Sequence, residues 1–324
     1  MYCIAHKAGQ EKTNHGQRRF RPCQAAWHGM EDYRAAADLP FAGLHREHRV
    51  AIAASSPQMQ HGVLDPGLML LSGLILLASI LIASAFTLYC FEHRPLASIG
   101  VPLSGPWLQQ TCIGLLVGSI PPVLFFLAAC KLGDAHLARA PLDLHHVFTR
   151  TLPALGSILL LAFHEELLFR GYLMQLISQK AGRALAAIIT GILFGLVHSA
   201  NSAANPQGLL FTAIGGVLLA WLIMRNGSLW MAGGYHAGWN ATAALVLGLS
   251  VSGTTTPGSW ITTTLSGPRW ITGGPYGFES SIIAGLVEPV VLGSLVWLAP
   301  RLPSHPQLRR YFQKQSAHGM PGES

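Results

Sequence analysis

The sequence FHEELLFRG, residues 163–171, lies inside the long apolar run Thr151–Ile177. A helix that spans a bilayer needs about 20 predominantly apolar residues, and this run is long enough. Charged side chains are costly at membrane depth, and those found there usually serve a function. The run therefore predicts a transmembrane helix that carries a polar site.

The composition of the whole chain favours the same class of protein. Of 324 residues, 50% are hydrophobic and only 11% are charged, whereas soluble domains carry about 25% charged residues. Apolar runs predict seven spans, with an error of one. They are Pro66–Phe91, Leu108–Cys130, Thr151–Ile177, Ala184–His198, Gly208–Met224, Leu229–Ser250 and Ser281–Ala299. We expect an all-α polytopic transmembrane helix bundle of six to eight spans.

The chain divides into three parts by composition. Residues 1–65 are polar, show no apolar core of signal-peptide type and are predicted to be a disordered head. A second interpretation is that the native chain begins further in, for example at Met59. Residues 66–300 are the predicted transmembrane helical domain, with a core at about 142–250. Residues 301–324 are a basic tail.

Basic residues near the span ends predict the orientation, because Lys and Arg favour the cytoplasmic side. If the third span ends inside, Lys180, Arg183, Arg225 and the tail are cytoplasmic, and the segments Asn201–Gln207 and Val251–Ser280 lie outside. The polar head then falls outside although it holds eight Lys and Arg residues, which is against the rule. The expected location is a cell membrane, crossed several times.

The net charge of +7 comes largely from loops and tails, where membrane proteins normally carry basic residues. We therefore expect membrane lipid, and no nucleic acid, as a partner. The five cysteines show no CxxC spacing, which argues against a zinc knuckle and a disulfide framework. Cys90, Cys112 and Cys130 lie in or beside apolar runs and are expected to be buried, inert thiols.

Glu166 and Arg170 are four residues apart, so on a helix they share a face and can pair. Glu165 points about 100° away from Glu166. We expect Arg170 to neutralise one acid and the other to stay free near the middle of the span. The alternative is that both glutamates lie at a helix end in water, or only lock helices together.

Two further pairs show the same spacing on later spans. Phe194 precedes His198 by four residues, and His236 precedes Asn240 by four, so each pair shares a helix face. A lone histidine on an apolar helix is more often an interhelical contact than a catalytic group. At about 1.5 Å per residue, however, Glu165, His198 and His236 lie about 18, 22 and 12 Å from the inner ends of their spans. These depths allow the three to converge near the midplane.

Small residues surround these positions and would let helices approach closely, as a buried polar site requires. They are Gly191, Gly195, Gly215, Gly216, Gly233, Gly234 and Gly238. Glu288, which precedes Pro289 in the last span, is another intramembrane acid. It belongs to no recognised spacing, and we predict a gating or pairing role for it.

The three patterns together resemble the CPBP family of intramembrane proteases, which includes type II CAAX prenyl endopeptidases and bacterial relatives linked to bacteriocin processing and self-immunity. The family pattern is EExxxR, then FxxxH, then HxxxN or a variant, and the resemblance covers roughly Leu142–Ser250. It implies an intramembrane endopeptidase in which Glu165 activates water with His198. His236 and Asn240 would then stabilise the oxyanion.

The residue types agree with that chemistry. A positioned carboxylate can act as a general base, and imidazole and carboxamide groups can donate hydrogen bonds to an oxyanion. Glu166, Arg170 and Phe194 are predicted to support the site. No metal or other cofactor is expected, because HExxH is absent and Asn is a poor zinc ligand. The alternative is a zinc ion held by Glu165, His198 and His236.

Two other classes of function are compatible with part of the pattern. A transporter with a Glu/His ion relay would also use acids and histidines at the midplane, but such proteins usually show internal repeats, and none is found here. A non-catalytic membrane immunity or scaffold protein is the second alternative. For a protease, the partner is a protein or peptide substrate, prenylated or otherwise associated with the membrane.

Overall fold

A computed structural model of the chain describes residues 65–132, 134–139, 143–306 and 309. The predicted disordered head and late start, and most of the basic tail, lie outside these residues. The described part is largely helical. The expectation of an all-α polytopic helix bundle is confirmed.

Eight helices of twelve or more residues form the described part of the bundle. They are α1 (Pro66–Thr87), α2 (Trp107–Gly118), α3 (Ile120–Leu132), α4 (Leu152–Glu166), α5 (Met174–Val197), α6 (Pro206–Asn226), α7 (Trp230–Ala241) and α8 (Ile282–Leu298). Wider π-helical turns adjoin several of them, at Leu88–Glu92, Val147–Thr151, Leu167–Leu173 and Thr242–Val246.

Local sequence sets where three of the long helices begin. Asp65, Asn205 and Ser281 each stand at the N-cap and accept a hydrogen bond from the backbone N–H three residues on. Pro66 and Pro206 follow two of these caps at the first helical position. A capping side chain satisfies a free N–H, and proline there loses no helical hydrogen bond.

Five helical runs among the described residues are long and apolar enough to cross a membrane. They are Pro66–Glu92, Trp107–Leu132, Leu144–Ala200, Pro206–Asn226 and Ile282–Arg301. The count falls below seven for two reasons. The predicted third and fourth spans both lie within Leu144–Ala200, and α7 with Thr242–Val246 is shorter than a full span.

The run Leu144–Ala200 is not one straight helix. Its 57 residues would extend about 86 Å as a rod, nearly three times the hydrocarbon thickness. Gly182 breaks it with φ +81 and ψ 165, in the left-handed half of the φ range that glycine adopts most readily. Gly171 distorts it with ψ −108. The break at Gly182 lies between the predicted third and fourth spans, and the distortion at Gly171 follows the acidic pair by little more than one turn.

The described residues also form a small antiparallel sheet, which the sequence patterns did not predict. Strand β1 (Asp134–Arg139) pairs with β2 (Ile261–Ser266), with Ala135 opposite Leu265. The run ITTT in β2 is rich in β-branched residues, which favour strands. The segment Val251–Ser280, expected to be external, therefore contains ordered structure.

Glycines bring α2 and α7 into backbone contact. A Cβ atom at Gly114 would lie 2.2 Å from the nearest backbone oxygen of α7, and one at Gly118 would lie 2.1 Å from another. Gly234 and Gly238 make the reciprocal contacts, at 2.4 and 2.3 Å from backbone oxygens of α2. Two G-x-x-x-G patterns thus face each other, the arrangement that lets membrane helices pack most closely.

The other predicted glycines also lie at close approaches. A Cβ at Gly191, Gly195, Gly215, Gly216 or Gly233 would come within 3 Å of a neighbouring atom. The expectation that these positions bring helices together is confirmed. Gly114 and Gly118 act in the same way, although they were not among the predicted positions.

The outer faces of the helices are apolar and exposed. Ile82, Leu116 and Val290 are 69%, 72% and 68% exposed, which suits contact with lipid tails and would be unfavourable in water. The prediction of buried thiols was wrong, because Cys90, Cys112 and Cys130 are exposed and unpaired. An apolar run in a membrane places residues on the lipid face as readily as in the core, so hydropathy alone does not distinguish the two.

Candidate active site

One cavity of about 280 Å³ collects the polar residues predicted from the sequence. Glu165 enters it from the end of α4, and His198 from the turn that follows α5. His236 and Asn240 enter it from α7, one helical turn apart. The structure thus brings the four proposed catalytic side chains together, while their catalytic role stays a prediction.

Glu166 and Arg170 form a fully buried ion pair beside the cavity. Nη1 of Arg170 donates to Oε1 of Glu166 over 2.8 Å, and both side chains are 0% exposed. The i, i+4 spacing puts them on the same face of the helix, as expected. A buried charge needs such a partner, because removing one member typically costs about 3–5 kcal/mol.

His236 lies between the two glutamates. Its Nδ1 is 3.0 Å from Oε1 of Glu166, and its Nε2 is 3.7 Å from Oε2 of Glu165. Because a carboxylate only accepts, Nδ1 carries a proton and donates to Glu166. This hydrogen bond orients the ring so that Nε2 points towards Glu165.

Glu165 and Glu166 are adjacent in sequence but have different surroundings. The side chain of Glu165 is 29% exposed, and Glu166 is fully buried. Both hydrogen bonds to Glu166 go to its Oε1, from Arg170 and from His236. Glu165 is therefore the acid that a water molecule in the cavity can reach, while Arg170 and His236 occupy Glu166.

His198 is oriented by its own helix. Its Nδ1 lies 2.7 Å from the carbonyl oxygen of Phe194, one turn earlier. A carbonyl can only accept, so Nδ1 carries a proton, and in the neutral ring Nε2 then keeps the lone pair. The side chain is half-buried and lines the cavity. Nε2 is thus free to accept a hydrogen bond there.

The ring of Phe194 packs against three of these groups. Cζ of Arg170 lies 4.2 Å from the ring centroid, within the range of a cation–π contact. The His198 and His236 rings meet it edge to face, with centroids 4.7 and 5.8 Å away. Phe194 therefore fills the space between the ion pair and the two histidines, the supporting position predicted for it.

Asn240 lies one helical turn after His236 and also lines the cavity. Its side chain is partly buried and makes no hydrogen bond to another described residue. A carboxamide can both donate and accept. The amide of Asn240 is accordingly available to a bound molecule.

The spacing patterns did not identify Glu279, which also lines the cavity. Its carboxylate accepts hydrogen bonds from Nε1 of Trp239 at 3.3 Å and from the backbone N–H and hydroxyl of Ser252 at 2.6 and 2.8 Å. Glu279 thereby joins the segment after α7 to α7 itself. No local motif surrounds it in the sequence, so no spacing rule could have found it.

Tyr276 is a buried residue in the same segment. Burial and the nearby Glu279 carboxylate raise the pKa of its phenol. Gly208 at the start of α6 leaves room for the ring, since a Cβ there would lie 2.8 Å from it. Tyr276 is thus a neutral packing residue that fixes the segment against α6.

The zinc alternative was assigned to Glu165, His198 and His236. In the part of the chain that the structure describes, no three His, Cys, Asp or Glu side chains are arranged to hold a metal ion. Each histidine also uses Nδ1 in a hydrogen bond within the bundle. The dependence on metal stays a prediction, open to a chelator experiment.

Residues 148–242 match the model of a protein family described as Rce1-like, type II CAAX prenyl endopeptidase. This segment holds the ion pair, both histidines and Asn240. No curated protein and no solved structure matches the chain.

Proposed function

We propose that this chain is an intramembrane endopeptidase of the CPBP type that uses water activated by Glu165, because residues 148–242 match the Rce1-like family model. One observation carries the proposal: two adjacent glutamates have opposite surroundings. Glu166 is buried and paired, whereas Glu165 is open to the cavity and faces His236. Acids with such different surroundings can take different parts in one reaction.

Glu165 acts as the general base. It takes a proton from a water molecule, and the resulting hydroxide attacks the carbonyl carbon of the substrate's peptide bond. His198 accepts the second water hydrogen at Nε2 and so orients the nucleophile. The proton held by Glu165 then passes to the amide nitrogen as the C–N bond breaks, leaving a carboxyl group and an amine.

His236 and Asn240 stabilise the tetrahedral intermediate. Preorganised donors aimed at a developing oxyanion supply a large part of the rate in acyl transfer. The Asn240 amide has no competing partner among the described residues, and the bond to Glu166 fixes the His236 ring. Donation from His236 requires a proton on Nε2 as well as on Nδ1, so the ring is positively charged. The carboxyl groups of Glu165 and Glu166 lie on either side of this ring.

The substrate is a protein or peptide associated with the membrane. Apolar side chains of Met69, Ile158 and Leu161 line the cavity, together with the polar residues Ser252 and Thr254 of the segment after α7. A cavity with both apolar and polar lining residues suits a substrate peptide in an extended conformation that enters from the bilayer, whether it is prenylated or not.

The experiment is a search for new protein termini. Purified protein in lipid nanodiscs is incubated with a solubilised membrane proteome, and new N-termini are mapped by mass spectrometry. We expect cleavage with the wild type and with Glu92→Gln, a matched change outside the cavity, and none with Glu165→Gln. Equal sets of termini from the wild type and Glu165→Gln would favour a non-catalytic scaffold or a transporter.

A further inference from the structure

Glu288 is a carboxylate in the cavity that has no hydrogen-bond partner among the described residues. Its position in the sequence predicts a gating or pairing role, but no Lys or Arg among the described residues forms an ion pair with it. Of the other acids in the cavity lining, Glu165 faces His236, and Glu279 accepts three hydrogen bonds. Among the described residues, Glu288 is the one of these three acids that neither lies within ion-pair distance of a histidine nor accepts a hydrogen bond.

Tyr235 supplies a second unpartnered polar group at the same place. Its side chain is 1% exposed and lines the cavity, and its hydroxyl has no hydrogen-bond partner among the described residues. Glu288 lines the same cavity. Buried hydroxyl groups almost always have a partner, so the unmatched hydroxyl of Tyr235 is a position that a water or a bound molecule can fill.

The neighbouring helices make room for the Glu288 side chain. A Cβ at Gly215 of α6 would lie 2.5 Å from Oε1 of Glu288, so any larger residue there would displace the carboxylate. Pro289, which follows, lacks an N–H and weakens α8 one turn earlier, near Gly285. The fold thus holds this acid inside the bundle against α6.

Apart from its two histidines, the charged side chains that line the cavity are acids. Glu165, Glu279 and Glu288 line it, and no Lys or Arg is among the described residues that do. Arg170 is fully buried and paired with Glu166, outside this lining. A cleft lined with acidic groups attracts cations, and the effect is strongest where water is scarce.

We propose that Glu288 and Tyr235 form a subsite that binds the ammonium or guanidinium group of a basic substrate side chain close to the cleaved bond. A carboxylate forms a charge-assisted hydrogen bond with such a group, and the tyrosine oxygen accepts another. That the bound cation belongs to a substrate rests on the proposed function, whereas the binding of a cation needs no hydrolysis. Glu288 is then a specificity residue and takes no part in the proton transfers.

The first test measures binding without catalysis. Glu165→Gln protein in nanodiscs is titrated with n-hexylamine or n-hexanol at neutral pH, and tryptophan fluorescence is followed, since Trp239 lines the cavity. Empty nanodiscs correct for partition into lipid. We expect the amine to bind at least about tenfold more tightly than the alcohol, the effect of one hydrogen bond to a charged group.

Variants of Glu288 and Tyr235 test whether these two residues cause the preference for the amine. In the same background, Glu288→Gln should bind amine and alcohol equally, and Tyr235→Phe should reduce the preference severalfold. Glu288→Asp, which keeps the charge, should retain part of it, and Glu92→Gln should retain all of it. A preference that survives Glu288→Gln, or no preference in the parent protein, overturns the proposal.

The second test reads the sequences around the cleaved bonds. We expect the wild type to cleave mostly next to a Lys or Arg at one fixed position, and Glu288→Gln to lose this enrichment while still cleaving peptides without a basic residue. Cleavage without enrichment overturns the subsite alone. No cleavage by the wild type, together with an amine preference that depends on Glu288, overturns the protease and leaves the subsite standing.

Discussion

Nδ1 of His236 donates a hydrogen bond to Oε1 of Glu166 over 3.0 Å, and this contact joins α7 to α4 inside the bundle. The same carboxylate oxygen accepts from Arg170 at 2.8 Å. Glu166 therefore binds both Arg170, one turn further along the same helical run, and His236 on α7. The conformation of the reactive groups follows from this buried acid, although it does not itself face the cavity.

Replacing Glu165 with Gln should abolish most of the activity. The change keeps the shape of the side chain and removes the proton acceptor, so cleavage should fall about 10²–10⁴-fold. Glu165 is partly exposed and outside the buried pair, so the amount of folded protein in the membrane should stay the same. Single-turnover cleavage rates, normalised to protein in the membrane, check this. Turnover close to that of the wild type would contradict the assigned mechanism.

Arg170→Ala should lower both the folded yield and the activity. The substitution leaves Glu166 as a buried charge without its main partner, at about 3–5 kcal/mol, and removes the cation from the face of Phe194. Size-exclusion chromatography and thermal unfolding in detergent measure the loss. Arg225→Ala is the matched control, because Arg225 is exposed at the end of α6. Equal yields for the two variants would show that the pair contributes nothing.

Gly118→Ala should separate α2 from α7. The added methyl group would lie 2.1 Å from the backbone oxygen of Tyr235, and backbone atoms cannot rotate away as a side chain does. Overpacking of this kind costs about 1–3 kcal/mol and displaces the helix that carries His236. Gly293→Ala is the control, since nothing lies within 4 Å of that position. Melting temperatures that fall equally in both variants would rule out a specific role for this contact.

The local parts of the site could be predicted from the sequence because residues four apart on a helix lie on the same face. Glu166 pairs with Arg170, and Phe194 contacts His198, each at i, i+4. Hydropathy also indicated the bundle. The two pairings could be predicted because each depends only on residues about one helical turn apart, and the bundle because each apolar run is continuous in sequence.

The remaining features depend on packing between distant segments. His236 bonds to Glu166 across 70 positions of the chain, and β1 pairs with a strand that begins at Ile261. No periodicity specifies such a partner. The position of Glu279 in the cavity likewise depends on distant residues, because its hydrogen bonds with Trp239 and Ser252 form only in the folded chain.

Asn240→Ala should slow cleavage without weakening substrate binding. If the amide donates to the oxyanion, its loss costs about 10²–10³-fold in kcat. KM should change little, because the donor acts in the transition state and not in the ground state. The side chain makes no hydrogen bond to the rest of the described bundle, so the protein should remain stable. A rise in KM at unchanged kcat would instead identify Asn240 as a substrate-binding residue.

A metal-independent mechanism predicts that chelators leave the activity unchanged. Glu165 then acts as the base on free water, and dialysis against 1,10-phenanthroline should neither slow cleavage nor be reversed by zinc. Elemental analysis of the active protein provides the second measurement. A zinc mechanism predicts inactivation by chelator, recovery with added metal, about one zinc per chain in the wild type and its loss in His198→Ala. That result would reassign Glu165 from the base of a free water to the partner of a metal-bound one.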